Sequence, residues 1–316
     1  MTSPTETLAQ EPAAPRPAGP APHKRPRSGV GRVSPTFYWM VLPAVLLFFI
    51  LHTVPVLNGI FFSMTNYAGY GEWDFTWFQN YVNLFKDDQV LNAYLFTFGF
   101  AIVATIAVNV ISLAIALGLN AKIKFQTGLR GIFFIPNILS ILVIGYVFNY
   151  LFSNSLPAIA ENLGITALST SILADPDLAW VGIVILAVWQ AAAFNIIIYL
   201  AGLQTIPGEL YEAASLDGAR RWRKFSSITF PLIGAFFTIN MVLSLKNFLQ
   251  VFDHIIALTN GGPGTSTQSV SLLIYRGGFQ GGEYAYQTAN AVIFLIVIVL
   301  ISVIQLRVLQ RREATF

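Results

Sequence analysis

The sequence contains no cysteine, which excludes disulfides and thiolate metal sites. Charge is scarce as well: 10% of the residues are Asp, Glu, Lys or Arg, against about 25% in a soluble domain. Only three His occur in 316 residues. His52 and His254 lie in or near apolar runs, far apart in the chain, so no metal site is expected. No stretch matches the phosphate-cradling pattern G-x-x-x-x-G-K-[ST], and no Gly precedes a Lys anywhere. The chain is therefore not expected to hydrolyse ATP itself. H-E-x-x-H and G-x-S-x-G are also absent, and no catalytic constellation is visible. The basic residues form short clusters beside apolar runs, which argues against nucleic-acid binding.

What the sequence has in quantity is apolar surface. Hydrophobic residues make up 55% of the chain, with 26 Phe, 12 Tyr and 6 Trp, a composition for lipid-facing and interfacial positions. A membrane span needs roughly 20 apolar residues. Six stretches qualify, about 37–62, 92–118, 131–152, 179–202, 231–256 and 287–308. The expected fold is all-α, a polytopic membrane helical bundle of six transmembrane helices. Pro43, Pro55, Pro136 and Pro231 lie in or at the start of these runs. Proline is tolerated there when neighbours satisfy the freed backbone groups. Residues 1–34 are rich in Pro, Ala and Thr and end in a basic run; such a segment cannot offset its ordering entropy and reads as a disordered tail. The apolar run behind it is too long for a signal peptide.

Lys and Arg set the orientation. One side would hold Arg16, Lys24, Arg25, Arg27 and Arg32, then Lys122, Lys124 and Arg130, then Arg220, Arg221, Arg223 and Lys224, then Arg307, Arg311 and Arg312. The other side would hold Lys86 and Arg276 among many carboxylates. Both termini are expected in the cytoplasm of a multi-pass cell-membrane protein.

The longest polar interruption of the second half is PGELYEAASLDGARRWRKFSSITFP, Pro207 to Pro231. It reads as two short helices broken at Asp217-Gly218. Pro207 suits a first helical position, Glu209 and Glu212 favour the helix N-terminus, and Gly218 can take the left-handed conformation that ends a helix. Glu212-Ala213-Ala214, three residues, Gly218, nine residues and Ile228-Thr229-Phe230-Pro231 resemble the EAA motif of ABC importer permeases. Phe230 stands where the family pattern has Leu. The resemblance implies that the loop at 203–231 is a cytoplasmic coupling helix, with Glu212, Ala213, Ala214, Asp217 and Gly218 docking on an ATPase subunit.

Two further stretches resemble the carbohydrate branch of that family. One is Ser63-Met64-Thr65-Asn66-Tyr67 with Asn80-Tyr81 downstream; the other is the Phe252-Asp253 to Thr259-Asn260-Gly261-Gly262-Pro263 run. With the EAA loop, the likeness spans about residues 37 to 312, and the transmembrane domain would occupy 35–316.

In the fifth span, at ~100° per residue, Asn240, Ser244, Lys246, Asn247, Gln250, Asp253 and His254 share one half of the helix. Polar groups are costly in lipid, so that half faces protein or a water-filled pathway. Interhelical bonding alone would also explain them. The candidate substrate residues are Ser244, Asn247, Phe248, Gln250, Lys246 and Asn240, with Phe194 and Asn195 in the fourth span. Trp189, Gln190, Tyr146 and Asn149 are secondary. Lys246 either pairs with Asp253 or contacts an anionic or polar solute.

The expected function is the transmembrane permease subunit of an ATP-driven ABC importer for a carbohydrate, a di- or oligosaccharide. The resemblance implies a second homologous permease, two ATPase subunits that hold ATP and Mg, and an extracytoplasmic sugar-binding protein; this chain itself would carry no cofactor. A glycerol-phosphate or other anionic solute is the alternative within the family. A stand-alone secondary transporter is the alternative of another class, and would show internal repeats and Gly-broken midplane helices.

Overall fold

The computed structural model describes residues 35–121 and 124–310. The tail expected to be disordered, together with Lys122, Arg311 and Arg312 of the charge argument, lies outside the described residues. The chain divides into two compact units, one ending at His52 and one beginning at Thr53. The first holds α1 (Pro35–Phe48), with Pro43 inside it, and most of the π turn Phe49–Thr53.

The second unit opens with α2 (Val54–Phe62), where Pro55 sits in the first turn and its missing N–H costs little. Past α2, the two sequence signatures turn out to be partners. Asn80 Nδ2 donates to Ser63 O at 2.8 Å and to Thr65 O at 2.7 Å. Ser63 Oγ and Tyr81 OH lie 2.6 Å apart. Asn80 and Tyr81 belong to α3 (Gln79–Leu84), so this short helix is stapled under the preceding loop. Rings of Phe61, Phe62, Trp73 and Phe75 pack edge-on against one another.

Asp87 caps α4 (Asp88–Asn120), accepting from the Gln89 and Val90 amides. Then follow α5 (Gln126–Ile138), α6 (Ile141–Tyr150), α7 (Leu156–Asn162) and α8 (Ala179–Gln204). α4 and α8 form the centre of the core. Both bury small residues, Ala93, Ala101, Ala104 and Ala116 on one and Ala187, Ala192 and Ala193 on the other, which lets the two backbones approach. Tyr199 OH donates to Asn109 Oδ1 at 2.6 Å across the pair.

The third apolar run differs from expectation. Its helix is interrupted at Leu139 and Ser140, which are extended (ψ 143 and 132). Pro136, three residues earlier, already withholds one backbone donor. The apolar stretch then runs on through a π turn to Asn162, so it sits about ten residues further along the chain than the hydropathy of 131–152 implies. The fifth run is corrected too. α9 (Gly208–Leu216), α10 (Arg221–Lys224) and α11 (Phe230–Leu232) lead to α12 (Gly234–Leu249). The axis bends by 70° between Arg221–Leu232 and Gly234–Leu249, where Pro231 cannot donate and Ile233 takes φ −89, ψ 9. The helix then stops at Leu249, and Asp253 opens a separate helix, α13 (Asp253–Leu258).

α14 (Val270–Phe279) falls in a stretch that the apolar-run reading assigns to a connection; ten residues are too few to span. Its cap Ser269 also donates to Val251 O at 2.8 Å. α15 (Tyr284–Gln310) closes the chain. The described residues thus contain five helices long and apolar enough to cross a membrane, or six if the bent pair is one span. They are helical throughout except for loops and one isolated bridge, Thr65 to Phe75.

Candidate functional site

Two places hold the site residues expected from the sequence. The first is a cleft of about 630 Å³ among α5, α6, α8, α12 and α13. Both helix interruptions meet there. Asn137, Leu139 and Ser140 line it from the α5–α6 break, and Gln250, Phe252 and Asp253 from the α12–α13 break. Non-helical backbone at membrane depth is tolerated where it lines a cavity or is buried in protein. Gln190 on α8 ties the two breaks together. Its Nε2 donates to Leu139 O at 3.3 Å and its Oε1 lies 2.9 Å from His254 Nε2.

The expected polar half of the fifth span splits in two. Asn240 and Ser244 are buried and already engaged: Asn240 Nδ2 donates to Asn195 O at 3.2 Å, and Ser244 Oγ to Asn195 Oδ1 at 3.2 Å. Asn195 itself donates to Ala191 O at 3.0 Å. These three are a helix-to-helix clasp; Asn195 and Ser244 line the cleft and Asn240 does not. Asn247 and Gln250 are exposed on the cleft, with amides engaged by no other described residue. Phe194, 47% exposed, and Phe248, buried, supply aromatic surface at its wall. Phe248 is held by an edge-on contact with Phe100 at 6.0 Å. Lys246 is exposed but is absent from the cleft lining. Its expected pairing with Asp253 assumed one continuous helix; the break after Leu249 removes that register.

Among the secondary candidates, Gln190 lines the cleft and Trp189 does not. Asn149 Nδ2 donates to Leu258 O at 2.6 Å, a clamp between α6 and α13. Asn137 and Ser140 line the cleft and escape a reading of the fifth span alone. The signal that points to them is Pro136 within an apolar run.

The second place is the α9–α10 loop. Pro207 is extended (φ −60, ψ 133) and precedes the helix, which opens at Gly208. At the other end Gly218 takes φ 72. Its N–H bonds Ser215 O at 3.1 Å, and Ala219 N–H bonds Ala214 O at 2.9 Å, the paired closure of a Schellman C-terminus. Tyr211 OH and Thr229 Oγ1, 2.9 Å apart, tie the π turn Phe225–Thr229 back to α9. Glu212, Ala213, Asp217 and Gly218 are exposed and Ala214 is half-buried. Leu216, which the motif does not single out, is 90% exposed at the tip.

The sequence profile of the family described as "Binding-protein-dependent transport system inner membrane component" matches residues 109–314, a range that contains the whole cleft and the whole loop. The chain belongs to this family of ABC importer permeases. The multiple sugar-binding transport system permease protein MsmF of Streptococcus mutans is 36% identical over 283 residues, covering 87% of this chain and 97% of MsmF. A Thermoanaerobacterium thermosulfurigenes permease named "Probable starch degradation products transport system permease protein AmyD" is 33% identical over 278 residues, covering 88% of this chain and 95% of AmyD. A chain of a bacterial alginate ABC transporter, crystallised with its alginate pentasaccharide-bound periplasmic protein, superposes with a TM-score of 0.78 at 25% identity, covering 89% of this permease and 96% of that chain. This permease is thus a multi-pass membrane protein of the same all-α architecture.

Proposed function

We propose that the chain is the transmembrane permease subunit of an ATP-driven importer for a neutral di- or oligosaccharide. The observation that carries this is the chemistry of the cleft. Amides of Asn137, Gln190, Asn247 and Gln250, the Ser140 hydroxyl and the rings of Phe194 and Phe248 surround it. Sugars need hydrogen-bonding amides and hydroxyls beside aromatic faces for their C–H surfaces. The volume lies within the usual range of about 300–1,000 Å³ for ligand pockets. Asp253 is the charged side chain on the lining, and no Lys or Arg is. That distribution supports a neutral solute over glycerol-phosphate or another anion.

The α9–α10 loop is read as the coupling helix. Its exposed Leu216, Glu212 and Gly218 would sit in a cleft of a cytoplasmic ATPase, and two such ATPases would hold the ATP and Mg. A second homologous permease and an extracytoplasmic sugar-binding protein complete the importer. Both termini, the Arg220–Lys224 cluster and Arg307 would be cytoplasmic, as the Lys and Arg asymmetry favours. Transport follows by alternating access: ATPase closure moves the loops, and the permeases open outward. Solute shifts that equilibrium only by binding one state better.

The test is reconstitution of the co-purified complex in liposomes. ATP-dependent uptake of a neutral oligosaccharide is expected, dependent on the binding protein and at least tenfold faster than uptake of a phosphorylated sugar. ATP-independent uptake by the chain alone would instead support a secondary transporter.

A further inference from the structure

α3 is too short to cross a membrane, and its surface divides three ways. At about 100° per residue, Asn80 and Leu84 share the side turned to the protein, Leu84 buried and Asn80 half-buried. Phe78, Val82 and Phe85 share a second side and are 62%, 45% and 82% exposed. Phe78 and Phe85 are the caps of the helix. Gln79, Asn83 and Lys86, also exposed, share the third. The apolar side continues into Trp77, which is exposed although its backbone holds φ 53. An unbroken row of exposed rings then leads back to α2: Trp77 to Phe75 at 5.8 Å and Phe75 to Phe61 at 5.6 Å.

The ends of the surrounding spans set the level of this helix. The apolar stretch Tyr38–Phe62 ends at Phe62, and α3 is tied to Ser63 and Thr65 just past that end. α4 opens at Asp88, just beyond Phe85, and α15 opens at Tyr284. Ala285 N–H bonds Tyr67 O at 2.9 Å, and Tyr286 OH donates to Asp87 Oδ2 at 2.7 Å. Three span ends therefore meet around α3, at one surface of the membrane. The third side of α3 opens on a polar hollow of about 620 Å³, where Asn83 and Lys86 are joined by Asp87 and Glu283.

We propose that α3 is an interfacial helix lying in the plane of the membrane. Trp77, Phe78, Val82 and Phe85 sit among the headgroups and upper acyl chains, and Gln79, Asn83 and Lys86 face water. Aromatic rings favour that region, and in-plane helices carry one apolar and one polar side. The occupant of the apolar side is lipid rather than a protein partner. The row of rings is continuous with the flank of a spanning helix, and the surface turns from apolar to polar across a single short helix, as a boundary between two solvents requires. On the orientation proposed above, the leaflet is the outer one. The proposal needs only the multi-pass architecture, so it stands or falls separately from the solute reading.

The chain has no cysteine, so single cysteines can carry a nitroxide in the intact complex in liposomes, with the unmodified complex as blank. At Phe78→Cys, Val82→Cys and Phe85→Cys, collision with oxygen, which concentrates among acyl chains, should exceed collision with a water-soluble nickel chelate several-fold. At Gln79→Cys, Asn83→Cys and Lys86→Cys the order should reverse. Equal nickel access at all six positions overturns the proposal, because the apolar side is then free in water. Protection from both reagents at the first three, with the binding protein absent, also overturns it, because another subunit then covers that side. The unmodified complex gives a second readout. A lipid-phase carbene probe should leave adducts on Trp77, Phe78 or Phe85 and none on Asn83 or Lys86. No adduct on the aromatic side overturns the proposal even where a labelled variant assembles poorly.

Discussion

Asn247 is the residue on which the solute reading turns. Its amide reaches the cleft without a partner among the described residues, one turn beyond Ser244, which is held by Asn195. Losing one neutral hydrogen bond costs about 0.5–1.5 kcal/mol, so Asn247→Ala should weaken uptake roughly two- to tenfold with complex abundance unchanged. Ser244→Ala should behave differently. It removes a buried interhelical bond, so melting temperature should fall and uptake should fall only with the amount of complex. Measuring uptake of two oligosaccharides beside abundance and melting temperature decides between them; identical behaviour of the two variants would put Asn247 in the clasp. The sequence shows that these side chains share half of a helix, but not which of them are already partnered. That depends on Asn195, 49 residues away from Ser244 in the chain, and no local pattern encodes it. Leu216 was illegible for the opposite reason: a lone Leu in a polar loop carries no periodicity, and only its exposure marks it.

At the scale of elements, the legible features are those with local causes. Apolar runs gave the helices, and Gly218 gave the end of α9. The breaks were partly legible. Pro136 and Pro231 signalled disturbance, but the α12 stop at Leu249 has no proline or glycine beside it and arises from tertiary packing. Ser269 of the following segment donates to Val251 O, and α13 is clamped to α6 by Asn149. That α6–α13 contact is also close at Gly145. A Cβ on Gly145 would lie 2.3 Å from Ala257 Cβ, with the next Ala257 atom at 3.6 Å. Overpacking of this kind costs about 1–3 kcal/mol. Gly145→Ala should therefore lower the melting temperature and impair uptake, and Ala257→Gly in the same chain should restore most of both. If the second change worsens the first, the two helices are not in contact there. The loop signatures give a contrasting case. Asn80→Ala leaves the Ser63 and Thr65 carbonyls without their donor; such groups cost about 1–3 kcal/mol when part-buried. Stability should drop while KM for the sugar stays constant.

At the scale of the whole molecule, the proposed function would carry motion from the loop to the cleft. The route is continuous in the chain: α9, Gly218, α10, the π turn Phe225–Thr229, the bend at Ile233 and then α12, which bears Asn247. Composition made the membrane class legible, and the EAA spacing the loop. The bend was hidden, because hydropathy reports length and not direction. Gly218 is the position where this path can be tested without touching the cleft. A Cβ there would meet nothing within 4 Å, yet φ is +72, so a substitution is opposed by backbone conformation alone. Asn tolerates that region, Ala less so, and a β-branched residue least. The expected order of ATPase activity stimulated by the sugar-loaded binding protein is therefore Gly, Asn, Ala, Val, with Gly218→Val at least tenfold down. Leu216→Asp should resemble Gly218→Val by a different route, through loss of an apolar contact with the ATPase. In both variants the permease pair should still insert and bind solute as before, since neither residue reaches the cleft. ATPase subunits that co-purify normally with Gly218→Val and respond fully to the loaded binding protein would show that the Schellman turn is a connection and not a coupling element.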